Sequence, residues 1–290
     1  MGANALKWIY LSVLSVIWGS SFILMKKALL GVSPYQLGAL RTIFTACLLF
    51  VPGFKTLKLI DKRAWKWVAI SGIIGSFLPA FLFAIAETEI DSAIASILNS
   101  LVPLQTILVG LAVFQISSTK QQLVGVVVGF LGTALLVLEG ADLNPSQNYL
   151  YAGFIVLATL MYAFNVNIIK RHLQHLTPLT IATGNFAAII LPAILVLLLS
   201  GFFNGNTMYD SATHKALGYI FILSFFGTAL AKVLFNKLIQ LATPVFASSV
   251  TYVMPIVALT WGVLDGEGFS VLQAFAALLI LIGVYLANKK

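Results

Sequence analysis

Apolar runs of roughly 20 residues, separated by short charged clusters, follow one another along this chain. Roughly 20 residues is what a helix needs to cross ~30 Å of hydrocarbon. A transmembrane β-barrel would show alternation in ten-residue segments, and these runs do not alternate. With 60% hydrophobic residues, 9% charged residues and a mean hydropathy of +1.01, a soluble domain has no interior able to hide so much apolar surface. The expected fold class is therefore an all-α polytopic membrane protein. Its spans are expected at 7–29, 34–53, 66–86, 91–115, 121–139, 149–170, 177–200, 216–238, 243–264 and 270–288.

The chain also echoes itself. Ser92–Gln115, SAIASILNSLVPLQTILVGLAVFQ, aligns with Pro244–Glu267, PVFASSVTYVMPIVALTWGVLDGE, at an offset of 152 residues. Ala95 meets Ala247, Ser96 meets Ser248, Pro103 meets Pro255 and Gly110 meets Gly262. Gln122 and Gly132 match Gln273 and Gly283 one residue closer. Earlier in the chain the offset is 144: Pro34 matches Pro178, and Lys26-Lys27 matches Lys170-Arg171. Extra residues near 201–215 account for the change. Each half then has five spans, 1–140 and 149–290. An odd number forces the second half to start on the opposite side, so the repeats are inverted. Inverted repeats with a site at their midplane interface are a mark of carriers that work by alternating access.

Lysine and arginine set the expected orientation. With the N-terminus cytoplasmic, the inner side holds twelve: Lys7, Lys55, Lys58, Lys62, Arg63, Lys66, Lys120, Lys170, Arg171, Lys237, Lys289 and Lys290. The outer side then holds three, Lys26, Lys27 and Lys215. The positive-inside rule places both termini in the cytoplasm. The acidic residues agree: Asp61 alone falls inside, and Glu87, Glu89, Asp91, Glu139, Asp142, Asp210, Asp265 and Glu267 fall outside. A net charge of +8 would suggest nucleic acid in a soluble chain. Here topology and anionic lipid explain it, so the expected partners are the lipid bilayer and a small-molecule substrate, with no nucleic acid. The lone Cys47 cannot form an intrachain disulfide. No cofactor and no metal are expected: His172 and His175 are three apart but lack companion ligands. No G-x-x-x-x-G-K-[ST] motif is present to serve an ATP-driven domain.

Several segments carry a family resemblance. Trp18-Gly19-Ser20-Ser21-Phe22 lies in the first span, and Ser33-Pro34 with Arg41 in the second. Gly227-Thr228-Ala229-Leu230-Ala231 lies in the eighth, the second copy of the repeat in the ninth, and LLILIGVYL in the tenth. Over nearly its whole length the chain resembles the drug/metabolite transporter superfamily, and within it the EamA-type transporters. The resemblance implies ten helices as two inverted five-helix repeats around a central cavity. Helices one to four and six to nine would line that cavity, with five and ten peripheral. Known members export amino acids, one well-studied type aromatic ones, and also nucleotide precursors, other metabolites or cationic drugs. The family commonly has a tyrosine or another uncharged residue after Gly-Thr-Ala-Leu-Ala. Here Lys232 stands there, so a neutral cavity does not carry over.

Polar residues inside spans are costly and mark candidate substrate contacts. Ser224, Thr228, Lys232 and Asn236 follow at i+4 steps and form one stripe. Lys232 would meet an anionic group in the cavity, or else snorkel to the cytoplasmic headgroups. Arg41 would bind a carboxylate, or else reach outward to Glu87, Glu89 or lipid phosphate. Trp18 and Ser21 share a face, and Tyr162 and Asn165 hold the matching positions 144 residues on. Two opposed amphipathic aromatics suit a planar or amphipathic solute, although aromatics also serve simple helix packing. Asn99, Asn185, Ser248 and Tyr252 complete the candidates. Pro103 and Pro255 are candidate hinges, since a proline within a span frees a backbone carbonyl and bends the helix. Gly125, Gly129 and Gly132 form a small-residue face suited to close helix packing, or to a dimer contact. The expected assembly is a monomer or weak dimer.

The reading that follows is a non-enzymatic exporter in the plasma membrane, a bacterial inner membrane. It would move a small metabolite such as an amino acid, aromatic ones included. The alternative is a multidrug efflux carrier for organic cations, which the absence of an intramembrane carboxylate argues against. That same absence points to facilitated diffusion or exchange, or to coupling through Lys232 or an end-of-span acid such as Glu87.

Overall fold

Several helices begin where a short polar residue satisfies the first exposed backbone N–H groups. Ser33 Oγ accepts from Gln36 N at 3.3 Å while Gln36 Oε1 accepts from Ser33 N at 2.9 Å. This capping box is followed by Pro34 at the first helical position, where its missing N–H does no harm. The same device recurs in the second half, where Thr177 Oγ1 accepts from Thr180 N before Pro178. Asp61 and Asp210 cap two further starts. Local chemistry is thus duplicated along with the apolar pattern.

The computed structural model describes residues 3–115, 119–143, 147–204, 210–268 and 270–288. Residues 205–209 of the expected long connection, and Lys289 and Lys290, lie outside the described residues. Helix is the only regular structure among those described. Eight helices are long and apolar enough to cross a membrane: α1 (Ala5–Leu29), α2 (Pro34–Leu59), α3 (Lys62–Ala86), α4 (Ser92–Phe114), α6 (Tyr149–His172), α7 (Pro178–Leu199), α8 (Ser211–Leu241) and α9 (Pro244–Leu264). Two more, α5 (Lys120–Leu143) and α10 (Val271–Asn288), have shorter apolar stretches. Large apolar side chains such as Val51, Leu191, Leu199 and Leu264 point outward, as lipid-facing helices require.

The helix contacts are symmetric under exchange of the halves. α5 packs on α10, α2 on α7, and α4 on α9. The contact of α1 with α9 has its twin in α6 with α4; α3 with α7 has α8 with α2; and α3 with α6 has α8 with α1. Such closure is what a pseudo-two-fold axis between two inverted five-helix repeats produces.

The small-residue face on α5 is used inside the chain, against α10. A Cβ on Gly132 would come within 2.8 Å of Ile280 N and 2.9 Å of Ala276 O. A Cβ on Gly283 would strike the backbone of Gly125 and Gly129. Backbone cannot yield as a side chain can, so the helices must separate. Gly283→Val is expected to destabilise the protein by about 1–3 kcal/mol. Its melting temperature in detergent should fall by several degrees; an unchanged value would refute this packing.

Candidate functional site: a cavity between the two halves

Two helices change pitch at mid-length, at corresponding places. α3 contains a π-helical turn at Ile73–Phe77, and α8 one at Leu223–Leu230. A π turn bonds i to i+5 and turns backbone carbonyls away from the regular ladder. Both glycine carbonyls in these turns are taken by side chains from other helices. Gly75 O accepts from Lys232 Nζ, and Gly227 O accepts from Trp18 Nε1 at 2.9 Å. A side chain at Gly75 would fill the space of the Asn165 amide.

α4 and α9 break instead of bending. α4 is interrupted at Ser100–Leu101. α9 opens as a short helix to Ser248, passes through a 3-10 turn at Ser249–Tyr252 and resumes at Met254. Pro103 and Pro255 each sit in the first turn of the resumed helix, where proline is tolerated because that N–H has no intrahelical partner. The expected bend at the prolines is therefore a break just before them.

Together these irregular segments line one cavity. Trp18, Ser21, Arg41, Asn99, Tyr162, Asn165, Thr228, Lys232 and Ser248, all singled out from the sequence, line it. Trp18 stands edge-on to Phe235 with ring centroids 5.0 Å apart, and Tyr162 stacks against Phe83 at 6.1 Å. Arg41 donates from Nε to Thr228 Oγ1 at 2.9 Å and from Nη1 to Met25 Sδ at 3.6 Å. Lys232 is held inside by Gly75 O and does not snorkel. Asn99 Nδ2 lies 3.8 Å from Met254 Sδ, a weak acceptor.

The other three candidates lie outside the wall. Asn185 is buried with its amide 3.2 Å from Ser71 Oγ. Ser71 in turn donates to Asn165 Oδ1 at 2.6 Å, so Asn185 positions a lining residue from behind. Asn236 ties α8 to the start of α7 through Pro178 O at 3.2 Å. The expected stripe does not face the cavity along its whole length, and the π turn in α8 shifts the phase between Ser224 and the residues after it. Ser224 bonds to the carbonyls of Ile220 and Arg41, and only Thr228 and Lys232 face the cavity. Tyr252 packs beside Leu101, Leu104 and Ile107, and its neighbour Thr251 lines the wall. The 3-10 turn there rotates side chains by a different angle per residue than an α-helix does.

Residues missed from the sequence include Gly75, Ser76, Phe83 and Phe235. A signal was present. Gly75-Ser76 and Gly227-Thr228 are related by the same 152-residue offset as α4 and α9, and so are Phe83 and Phe235. At 144 residues, Trp18 pairs with Tyr162, Ser21 with Asn165 and Thr42 with Phe186. Most of the wall consists of such twins.

At one face, charges close the bundle above the cavity. Lys26 Nζ lies 3.1 Å from Asp265 and 2.8 Å from Glu267, and Lys27 pairs with Asp265. Glu267 also accepts from Ser92 Oγ at 2.7 Å, from Ser92 N at 3.3 Å and from Ala93 N at 3.2 Å. The Lys27 bond, together with Lys26, holds the Asp265 carboxyl below its ordinary range. Its contribution is present above the ordinary pKa and is lost only as pH falls through the lowered one, so Asp265 keeps its part of this closure at neutral pH. The opposite face is tied differently. Lys170 Nζ caps the end of α8 through Ile239 O at 3.0 Å and Ala242 O at 2.9 Å. His172 stacks on Trp67, and His175 lies 3.3 Å from Asp61.

Glu87, just past the end of α3, is buried, and neither of its carboxyl oxygens has a hydrogen-bond partner among the described residues. Burial first, and then the Glu267 charge, push its pKa well above the ordinary 4.5. The folded state thus holds this proton more tightly than the unfolded chain. The resulting stability is full below the ordinary pKa and is lost as pH rises through the raised one. The protein is expected to melt at a lower temperature as pH rises from 5 to 8, and Glu87→Gln should flatten that slope. Identical slopes in both proteins would count against a buried, ionisable Glu87.

A largely apolar cavity with a few polar groups, set between two inverted halves of a membrane-spanning bundle, is the architecture of a solute carrier. Comparisons with known proteins agree. The EamA-like transporter family model matches residues 6–138 and 150–289, and the chain belongs to that family. YedA of Escherichia coli (strain K12), an uncharacterised inner membrane transporter, is 27% identical over 97% of this chain and 92% of its own. A probable amino-acid metabolite efflux pump of Salmonella typhimurium is 26% identical over 93% of this chain and 91% of its own. A crystal structure with 17% identity superposes with a TM-score of 0.67, covering 99% of this chain and 96% of the other; it shows the fold alone. This protein is a multi-pass membrane transporter of the EamA family.

Proposed function

We propose that the protein exports a small amphipathic metabolite of the amino-acid kind from the cytoplasm across a bacterial inner membrane, by alternating access. The observation that carries this reading is the cavity itself. It combines aromatic walls with a few polar groups at the interface of two repeats that can rock against each other. The name of the Salmonella relative favours the amino-acid kind. The lysine and arginine distribution favours cytoplasmic termini, and residues 1–140 and 149–290 serve as the two moving units. The breaks before Pro103 and Pro255 are the hinges. Among the described residues no carboxylate lines the cavity, which disfavours an organic cation as cargo.

Counterflow in proteoliposomes tests the proposal, with radiolabelled amino acids and their metabolites presented against an unlabelled trap. Trp18 contributes both a cavity surface and the bond to Gly227 O, so Trp18→Ala should lower exchange by about tenfold or more. Folding is checked by size-exclusion profile. Equal exchange by the parent and Trp18→Ala would remove this residue from the site. Absence of exchange for every compound would remove the reading.

A further inference from the structure

The pairing of the wall by the repeat has two exceptions that carry charge. Lys232 stands where the first half has Ala80, which also lines the cavity. Arg41 stands where the second half has Asn185, which lies behind the wall. Each half has thus one cation that its twin lacks, set into a wall that is otherwise neutral. Arg41 and Lys232 line the same cavity. Glu87 is close enough for Arg41 to sense it, but it lies outside the wall and makes no bond to the guanidinium. At most it balances one of the two charges.

Both cations keep donors to spare. A guanidinium has five N–H groups and an ammonium three. The guanidinium engages one hydroxyl and one thioether, and the ammonium one carbonyl. In a low-dielectric site an acid group bonded to both would offset their charge and fill those donors. A free ammonium on the same solute would meet two positive charges and no carboxylate, so it would lose its hydration without compensation. The amide oxygen of Asn99 and the hydroxyl of Ser76 have no partner among the described residues. They can serve a neutral polar group on the solute.

We propose that the cargo is an organic anion lacking a free ammonium group, its acid held between Arg41 and Lys232 and its apolar body against Trp18, Phe83 and Phe235. This deepens the transporter reading and rests on it. It narrows amino-acid metabolites to those whose amine has been removed or masked, as in 2-keto acids and N-acyl amino acids. The reaction that supplies the cargo is accordingly a deamination, a transamination or an N-acylation.

The test uses the purified full-length protein and four probes with one aromatic body: phenylpyruvate, N-acetylphenylalanine, phenylalanine and phenylalanine methyl ester. Affinity is read by ligand-induced thermal stabilisation, and flux by counterflow in proteoliposomes. The two anions are expected to bind about tenfold or more tightly than the zwitterion, and the cationic ester not to bind. Lys232→Gln and Arg41→Gln should each bring the anion-to-zwitterion ratio towards one, while Lys232→Arg keeps it, which separates charge from packing. A zwitterion or ester that binds as well as the anions overturns the proposal. So does the failure of both anions to bind at millimolar concentration. Anions that bind selectively without crossing would leave the anion site standing and defeat the transport reading. Flux without anion preference would do the reverse.

Discussion

Lys232→Ala is expected to reduce transport by about 10- to 100-fold while the protein remains folded and monodisperse. The magnitude follows from losing a charge-assisted hydrogen bond to the cargo, worth ~1.5–3 kcal/mol. The lysine lies within the cavity wall and is bonded to Gly75 O in the π turn of α3. Truncation removes that link between the halves as well as a positive charge. Lys232→Met separates the two contributions, since it keeps the bulk and loses the charge. If the ammonium acts on the cargo, Met and Ala should fail alike. If the side chain matters for packing, Met should be close to the parent. Undiminished transport by both variants would exclude Lys232 from the site.

Glu267→Ala is expected to open the charged face of the bundle. Its carboxylate is 3% exposed and joins three helices. It pairs with Lys26 at the end of α1, follows directly on α9, and accepts bonds from Ser92 and Ala93 at the start of α4. A helix N-terminus favours an anion at that place. Losing the charged hydrogen bonds of this carboxylate costs about 1.5–3 kcal/mol, enough to shift a two-state equilibrium about tenfold or more. Met25 lines the cavity next to Lys26 and offers a reporter position. In a Cys47→Ala background, Met25→Cys should react slowly with a membrane-impermeant maleimide added at this face. It should react about tenfold faster or more once Glu267→Ala is present. Equal labelling rates would show that this network does not hold the closed state. Asp265 remains beside both lysines in the variant, so Asp265→Ala added to Glu267→Ala should increase labelling further.

The two halves differ most where they are charged. Lys26 and Lys27 have acidic partners, whereas their counterparts Lys170 and Arg171 engage the carbonyls ending α8 and the ring of Phe114. The residue matching Glu267 at the 152-residue offset is Gln115. One face is therefore tied by lysine–carboxylate pairs and the other by backbone acceptors, stacking and the His175–Asp61 contact, on a scaffold that is otherwise repeated.

The span pattern, the duplication and the family were determined by the sequence alone. Hydrocarbon thickness sets helix length, and an odd number of spans per repeat dictates inversion. Many wall residues could also be picked out, because a polar side chain inside an apolar run has few reasons to be there. Trp18, Arg41, Asn99 and Lys232 are of this kind. What only the tertiary structure decided was the angular phase of each helix. The π turns in α3 and α8 and the breaks before Pro103 and Pro255 shift that phase by amounts that i+4 counting does not contain. They send Tyr252 behind the wall and bring Gly75, Ser76 and Thr251 into it, whereas Asn236, one regular turn past Lys232, is engaged by Pro178 O at the start of α7. Asn185 follows another logic: Ser71, a small residue on α3, draws its amide away from the cavity. Whether Lys232 would reach the headgroups or turn inward was likewise open, because depth along a helix permits either. The carbonyl of Gly75, which cannot receive an i+4 bond because Pro79 has no N–H, settles its direction.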